Sequence, residues 1–466
     1  NAMRLFEDFK ILFEQPDWSY DPQLCFIDTV LEMKPYLLKI FENDITKNRK
    51  KSRFGRKDVP SIEQIVRAAF YKKIKGLNYR QLFYHQIDSR ICAAFLKIDA
   101  NRPYSYQVYQ KYISKISSDT LNRFMRELVK IAMEEGIEDM KRVRQDTTTV
   151  ETNIHYPTDN SLIWDCIRKS TDLLKALSKE IDINYLNFTK GAHKVFYDIN
   201  LSKKKDDKYE LFCNELIIFE KVIHEVNKVI GMKSLCITPK SKKLMKQLEN
   251  LYVQMNKIYD VTYRRQIEKE DVAVEDKILS IFEPHTDVIS KGDREVKFGH
   301  KVNLATGRSN LILGCEVVRG NPSDKSMFQP MLEKLIKDYE VVPRDISTDG
   351  GFASFENLRA AKKLGIINIV FNKTVGSLKN QVTSKNMETR LKKWRSGMEA
   401  VISNLKRGYQ LRRCEWKGWE HFKANVFWSV IAYNIGVISV YFIKRILKEG
   451  IEEVNVRAKS SYSMAV

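Results

Sequence analysis

"QDTTTVETNIHYPTD", Gln145 to Asp159, is the stretch on which the reading of this chain turns. Three consecutive threonines and a valine favour extended backbone, and the strand they predict opens on a carboxylate, Asp146. A lone Asp in such a place commonly caps or turns a neighbouring segment. A chemical role for it requires partners, and the rest of the chain shows where to look.

Upstream, to about Met140, the sequence reads as short, basic helices. "VPSIEQIVRAAFYKKIKG" carries Ser61 as an N-cap with Gln64 three residues on and Gly76 at its end. "SSDTLNRFMRELVKIAMEEG" supplies another capped amphipathic helix. Short helices joined by tight turns suit a helix-turn-helix-like module, or any small helical bundle. Ahead of them lies "TKNRKKSRFGRKD", in which seven of thirteen residues are Lys or Arg. It is either a solvated charge run or an arm whose Lys50, Lys51 and Arg53 contact DNA phosphates.

The composition agrees with a polyanionic partner. Among 466 residues, 80 Lys and Arg stand against 59 Asp and Glu, a net charge of +21, which attracts nucleic acid first and an anionic membrane second. A hydrophobic content of 43% is enough for two or three domains with real cores. Seven scattered cysteines without a CxxC pair argue for reduced thiols in a cytoplasmic protein and against zinc. Asn1-Ala2 before Met3 reads as a cloning remnant, with no signal peptide expected after it. "ANVFWSVIAYNIGVISVYFI", Ala424 to Ile443, is long enough to span a bilayer. Its interruption by Asn425, Ser429, Asn434 and Ser439 predicts instead a helix buried in a large core. No Walker-type loop is present, so ATP is not expected.

Downstream of Asp159 the pattern is helical to about Asp271. Phe212, Leu216, Phe219, Ile223, Val226 and Ile230 form one heptad stripe, and Leu244, Leu248, Leu251, Met255 and Ile258 form a second. These predict an antiparallel helical hairpin inserted into a discontinuous domain. Strands follow in "KFGHKVNLAT" and "NLILGCEVVRG", divided by a turn at Gly307-Arg308-Ser309. Then "DKSMFQPMLEKLIKDY" reads as a helix, "RDISTDGG" as a strand and turn, "SFENLRAAKKLG" as a helix and "IINIVFN" as a buried strand. Hairpin strands followed by alternating strands and helices give an α/β core with a mixed sheet.

Two partners for Asp146 emerge from this layout. Asp349 ends the strand of "RDISTDGG" beside a glycine turn, where backbone can approach a ligand; Asp-Gly is also an ordinary turn. In "WRSGMEAVISNLKRGYQLRRC", Met398, Val401, Ile402 and Leu405 share one apolar stripe, with Arg395, Glu399 and Lys406 along its border. A helix laid on the sheet by that stripe turns Glu399 toward the sheet edge. Taken alone, Arg395 and Glu399 read as an i,i+4 ion pair on a solvated face.

Together, Asp146, Asp349 and the run Arg395, Glu399, Lys406 resemble the D-D-E constellation and R-x3-E-x6-K signature of bacterial insertion-sequence transposases. "RQDTTTVETNIHYPTD", "FGHKVNL", "STDGGFAS" and "KRGYQLRRCEWKGW" are similar to that superfamily as well. The resemblance covers about Arg142 to Asp165 and about Glu295 to Ala432. The signature usually carries Tyr three residues before its Arg; Lys392 stands there, with Trp394 nearby. The resemblance implies a ribonuclease H-like mixed sheet with flanking helices, with Asp146 on its first strand, Asp349 after its fourth and Glu399 on a later helix. It implies that the three carboxylates hold Mg2+ or Mn2+ and that Arg395 and Lys406 contact DNA phosphates near the scissile bond.

The chemistry asks for the same set. In-line attack on a phosphodiester needs charge neutralised on the nucleophile, the leaving oxygen and the non-bridging oxygens. Two divalent cations about 3.5–4 Å apart do this, hard cations take oxygen ligands, and three gathered carboxylates repel one another without one. His155 and His300 read as satisfied structural histidines or DNA contacts. Trp416 and Trp419 read as packing residues or as platforms for an unpaired base.

The expected architecture is a helical DNA-binding domain at 3–140, a ribonuclease H-like catalytic domain at 141–158 and 272–448, a helical insertion at 159–271 and a tail at 449–466. The expected function is a metal-dependent DNA transposase that cuts the ends of an insertion sequence and joins the 3′-hydroxyl to target DNA. Its partners are double-stranded DNA and, on DNA, a second copy of the chain; no membrane is expected, and the place is the nucleoid in the cytoplasm. A non-transposing nuclease on the same fold and a catalytically silent DNA-binding protein are the alternatives.

Overall fold

The computed structural model describes residues 3–6, 9–11, 21–47, 59–290, 296–374 and 376–463. The basic residues Lys50, Lys51 and Arg53 lie outside them. The chain divides into two compact units, Asn1–Glu151 with Gly299–Val466, and Thr152–Phe298.

The threonine-rich stretch forms the longest strand of the first unit, β1 (Arg142–Thr152). Its neighbours are β2 (Lys297–Thr306), β3 (Ile312–Val318), β4 (Asp345–Thr348) and β5 (Asn368–Phe371). β1 pairs antiparallel with β2, and β2 antiparallel with β3 across the Gly307 turn. On its other side β1 pairs parallel with β4, and β4 parallel with β5. The spatial order is therefore β3-β2-β1-β4-β5, a mixed sheet in which the hairpins come first and the parallel crossovers second. This is the mixed α/β core that the pattern predicted.

Because side chains alternate across a strand, the sheet has two differently used faces. Ile346, Ile369 and Phe371 point to one, where they pack with Phe328 and Leu332 of α1 (Phe328–Tyr339) and Ala361 of α2 (Phe355–Lys363). Ser347, one residue on from Ile346, faces the other way and donates to the Leu391 carbonyl of α3 (Lys385–Gly408) at 3.1 Å. Ser384 caps α3, and Leu391, Met398, Val401 and Leu405 bury its apolar stripe.

The long apolar segment near the C-terminus is α4 (Trp419–Ser463), which is long and apolar enough to cross a membrane and 78% buried over that apolar window. Its polar residues explain why it belongs to a core. Asn434 accepts from the Ile312 amide and donates to the Ile312 carbonyl, both at 2.9 Å, and Tyr433 donates to the Asn310 carbonyl. Buried polar groups that are hydrogen-bonded in this way cost little. The N-terminal helices pack on the same element: Phe70 lies edge-on to Trp428 at 5.4 Å and Phe26 stacks on Phe442 at 5.8 Å. Helix Ile62–Ile74 begins with the expected capping box of Ser61 and Gln64, and Gly76 turns the chain at φ +67°, a conformation that favours glycine.

In the second unit the two heptad stripes form helices Lys205–Gly231 and Pro239–Gln266. They are not a solitary hairpin. Helices Asp159–Leu177 and Thr189–Leu201 share one apolar core with them, so each helix faces more than one neighbour. The seam rotates accordingly: Val222 and Val229 are buried, whereas Ile223 and Ile230 sit at its margin.

Candidate active site

Strand register builds the site. The parallel pairing of β1 with β4 runs from Arg142 opposite Asp345 to Gln145 opposite Thr348. Continued by one residue, it sets Asp146 beside Asp349, on strands about 4.8 Å apart. Both carboxylates share the face that α3 covers, since Arg144 and Ser347, two residues before each, contact that helix.

The third carboxylate arrives through Arg395. Its guanidinium stands between all three acids: Nη2 is 2.7 Å from Asp146 Oδ2 and 3.7 Å from Asp349 Oδ1, and Nη1 is 3.2 Å from Glu399 Oε1. The Arg395 side chain is only 8% exposed and Asp146 12%, whereas Asp349 is 45% and Glu399 71% exposed. The Asp146–Arg395 contact is thus the buried anchor, and the other two carboxylates lie toward solvent. Asp146 Oδ1 also accepts from the Thr147 amide at 2.8 Å. The sequence set Arg395 on the border of the stripe; the structure turns it inward to the acids. Lys406, seven residues after Glu399, lies on the same side of α3 by helical period and is partly buried.

A second arginine holds the helix that carries these groups. Arg144 is fully buried in β1 and donates through Nη1 to the Trp394 carbonyl at 2.7 Å and through Nε to Thr306 Oγ1 at 2.9 Å. Its guanidinium lies 4.9 Å from the centre of the Trp394 ring, within cation–π range. Burial, with the positive charge of Arg395 nearby, lowers its pKa to about 10, which still leaves it charged at neutral pH. Gly397 makes room for it: a Cβ there would fall 2.5 Å from Arg144 Nη1. Neither Arg144 nor Gly397 was singled out in the sequence, although the two-residue strand period from Asp146 points Arg144 at the same helix.

Other residues singled out in the sequence fall elsewhere. His300 is fully buried between Trp419 and Phe422, with ring centroids 4.8 Å away on each side, a packed structural histidine. His155, in the second unit, pairs with Asp165 at 2.7 Å. Trp419 packs on Phe422, while Trp416 lines a cavity. Lys392 pairs with Glu388 on its own helix.

The donor set suits a hard divalent cation: three carboxylates offer oxygen ligands against a single guanidinium, leaving net negative charge at the centre. Among the described residues no three acidic, His or Cys side chains already form a cation cage; Arg395 is what gathers them. Asp349, half-exposed, and Glu399, largely exposed, have the freedom to turn onto an incoming ion. Residues 267–435 match the family model of the transposase DDE domain. Asp349 and Glu399 lie within the match and Asp146 is brought to them by sheet pairing. No curated protein and no solved structure matches the chain.

Proposed function

We propose that this chain, whose residues 267–435 match a transposase DDE domain, cuts DNA at the ends of a mobile element and joins the freed 3′-hydroxyl to target DNA. The observation that carries the reading is the convergence of Asp146, Asp349 and Glu399 on one guanidinium, across two adjacent interior strands of a mixed sheet and the helix that covers them. Mg2+ or Mn2+ held by these three would supply the charge neutralisation that in-line attack on a phosphodiester requires.

The chain's own residues divide the remaining work. Arg395 offsets the mutual repulsion of the acids and fixes Asp146, so that the first ligand is preorganised. Arg395 and Lys406 border the place where a phosphodiester would lie and are the candidates for contacting its oxygens. Arg144 fixes α3, and through it the spacing of Glu399 from the strand carboxylates. The N-terminal helices are candidates for reading element ends, with Lys50, Lys51 and Arg53 adding contacts to the phosphate backbone. Two copies on paired ends, in the cytoplasm at the nucleoid, complete the reading.

The decisive experiment is end-DNA cleavage by Asp349→Asn in Mg2+ or Mn2+. Asp349 is exposed enough that the fold should survive, so cleavage is expected to fall to background while DNA affinity stays near wild type. Cleavage at a near wild-type rate would remove the assignment. Wild-type cleavage without any strand joining would favour a nuclease on the same fold.

A further inference from the structure

A cavity of ≈ 810 Å³ lies in the first unit between the C-terminal end of helix Ile62–Ile74, the turn after it, and the segment that joins α3 to α4. Among its described lining residues four cations, Lys72, Lys73, Arg413 and Lys417, face one carboxylate, Glu415. Lys72 and Lys73 are the unusual pair. Lys73 is 7% exposed and its ammonium reaches only a neutral amide oxygen, Asn425 Oδ1, at 3.4 Å. Lys72 lies over the rings of Tyr79 at 4.6 Å and Trp416 at 5.7 Å. Among the described residues neither lysine makes an ion pair, whereas Lys75, two residues on, pairs with Asp21.

We propose that this cavity is a second DNA contact, remote in sequence from the carboxylates, in which Lys72 and Lys73 hold a backbone phosphate. The site is built rather than incidental. Lysine at a helix C-terminus is ordinarily a solvated charge that complements the dipole; these two are drawn inward beside aromatic rings and amides, as in channels that track a nucleic-acid backbone. Buried Lys73 and half-buried Lys72, adjacent and without an ion pair among the described residues, are relieved either by losing a proton or by a ligand that brings negative charge. Burial lowers Lys72 to about 8 and Lys73 to about 7, the latter also through the charge of Lys72. Glu415 acts the other way on Lys72, and Cys414 on Lys73. Arg413, Lys417 and His421 are the remaining charged or titratable groups on the cavity's C-terminal wall, and Tyr79 is the one on its helical wall. A bound phosphate would hold both lysines protonated, so binding takes up protons and weakens as pH rises through about 7 to 8.

The proposal rests on the transposase reading, and the test keeps the two apart. Fluorescence anisotropy of a labelled duplex of arbitrary sequence compares wild type with the Lys72→Met, Lys73→Met double variant across salt concentration and pH. The variant is expected to bind about tenfold more weakly at low salt, to lose about one unit of salt slope for the one phosphate contact removed, and to lose the fall of affinity with pH. Methionine keeps the aliphatic stems packed, so the melting temperature should hold or rise. If the double variant does not fold, Arg413→Ala and Lys417→Ala, both at exposed rim positions, carry the test and should each weaken duplex binding. Wild-type protein that binds no duplex would remove the transposase reading itself. Wild-type protein that binds while the variants bind equally well, with the same salt slope, would overturn only the cavity. Loss of ATP binding with duplex binding unchanged would assign the cavity to a free nucleotide and overturn the DNA contact.

Discussion

Two places in the first unit gather charge of mainly one sign, and the signs are opposite. Beside the adjacent strands β1 and β4 three carboxylates share one guanidinium; in the cavity behind Gly76, among its described lining residues, four cations face one carboxylate. The first is an excess of hard anionic oxygen, which a divalent cation would complete. The second gathers one buried and one half-buried ammonium with two exposed cations at the rim, a set that an anion would complete. A phosphodiester chain with divalent metal at one point along it answers both needs. Charge balance counted side chain by side chain thus indicates the sign of a fitting partner more directly than overall net charge does.

The comparison breaks most decisively at Asp146. Both Asp146→Asn and Glu399→Gln should bring cleavage to background, because each removes an anionic oxygen ligand. They should part company in stability. Asp146 is the buried partner of a buried arginine, so its loss leaves Arg395 with only an exposed carboxylate and a longer contact, and should cost about 2 kcal/mol. Glu399 is 71% exposed, and its loss should stay within about 0.5 kcal/mol. Chemical denaturation of both variants, beside the cleavage assay, checks this. Equal destabilisation would mean that Arg395 is not anchored by Asp146.

A third ionisable site, in the helical unit, sharpens the comparison because it needs no ligand. Glu215 is 2% exposed, its Oε2 has no hydrogen-bond partner among the described residues, and burial, with the charge of Asp159, pushes its carboxyl up to about 9. A lone buried acid can balance itself by keeping its proton. Between the unfolded value of about 4.3 and about 9, the folded state therefore holds a proton that the unfolded state has released, and stability falls as pH rises through that window. Glu215→Gln removes the penalty. It should stabilise the protein by roughly a few kcal/mol near pH 8 and by almost nothing near pH 4, read as the shift in thermal midpoint at the two pH values. A pH-independent shift would place a counter-charge beside Glu215.

Legibility from sequence follows the range of the interaction concerned. Strands at "KFGHKVNLAT", "RDISTDGG" and "IINIVFN", the capping box at Ser61 and the apolar stripe from Met398 to Leu405 are local patterns, and each forms where its pattern places it. The adjacency of Asp146 and Asp349 depends on a parallel register between distant segments, so it came from resemblance and not from spacing. The coiled-coil stripe misplaced Ile223 and Ile230 because two further helices share the bundle core. Lys72 and Lys73 sit in what reads as a basic helix end. Their burial is set by Trp416 and Asn425, more than three hundred residues later, and no local pattern announces it.

The smallest test concerns the helix that joins these observations. Gly397 lies mid-helix in α3, where alanine would ordinarily gain about 1 kcal/mol in helix propensity. Here the added Cβ meets Arg144 Nη1 at 2.5 Å, and Arg144 cannot simply swing aside because Trp394, Thr306 and Asn310 hold it. Overpacking of this kind costs about 1–3 kcal/mol, so the propensity gain offsets only part of it and Gly397→Ala should destabilise by about 0–2 kcal/mol. Its more telling effect is geometric. Relief by tilting α3 moves Glu399 relative to Asp146 and Asp349, and displacements of about 1 Å in a catalytic constellation can cost on the order of a hundredfold in rate. The expected result is therefore slower cleavage in a protein whose melting temperature falls modestly at most, with duplex affinity and its salt slope intact because the Lys72 and Lys73 cavity is untouched. A stabilised Gly397→Ala protein that cleaves at the wild-type rate would show that Arg144 does not set the position of α3.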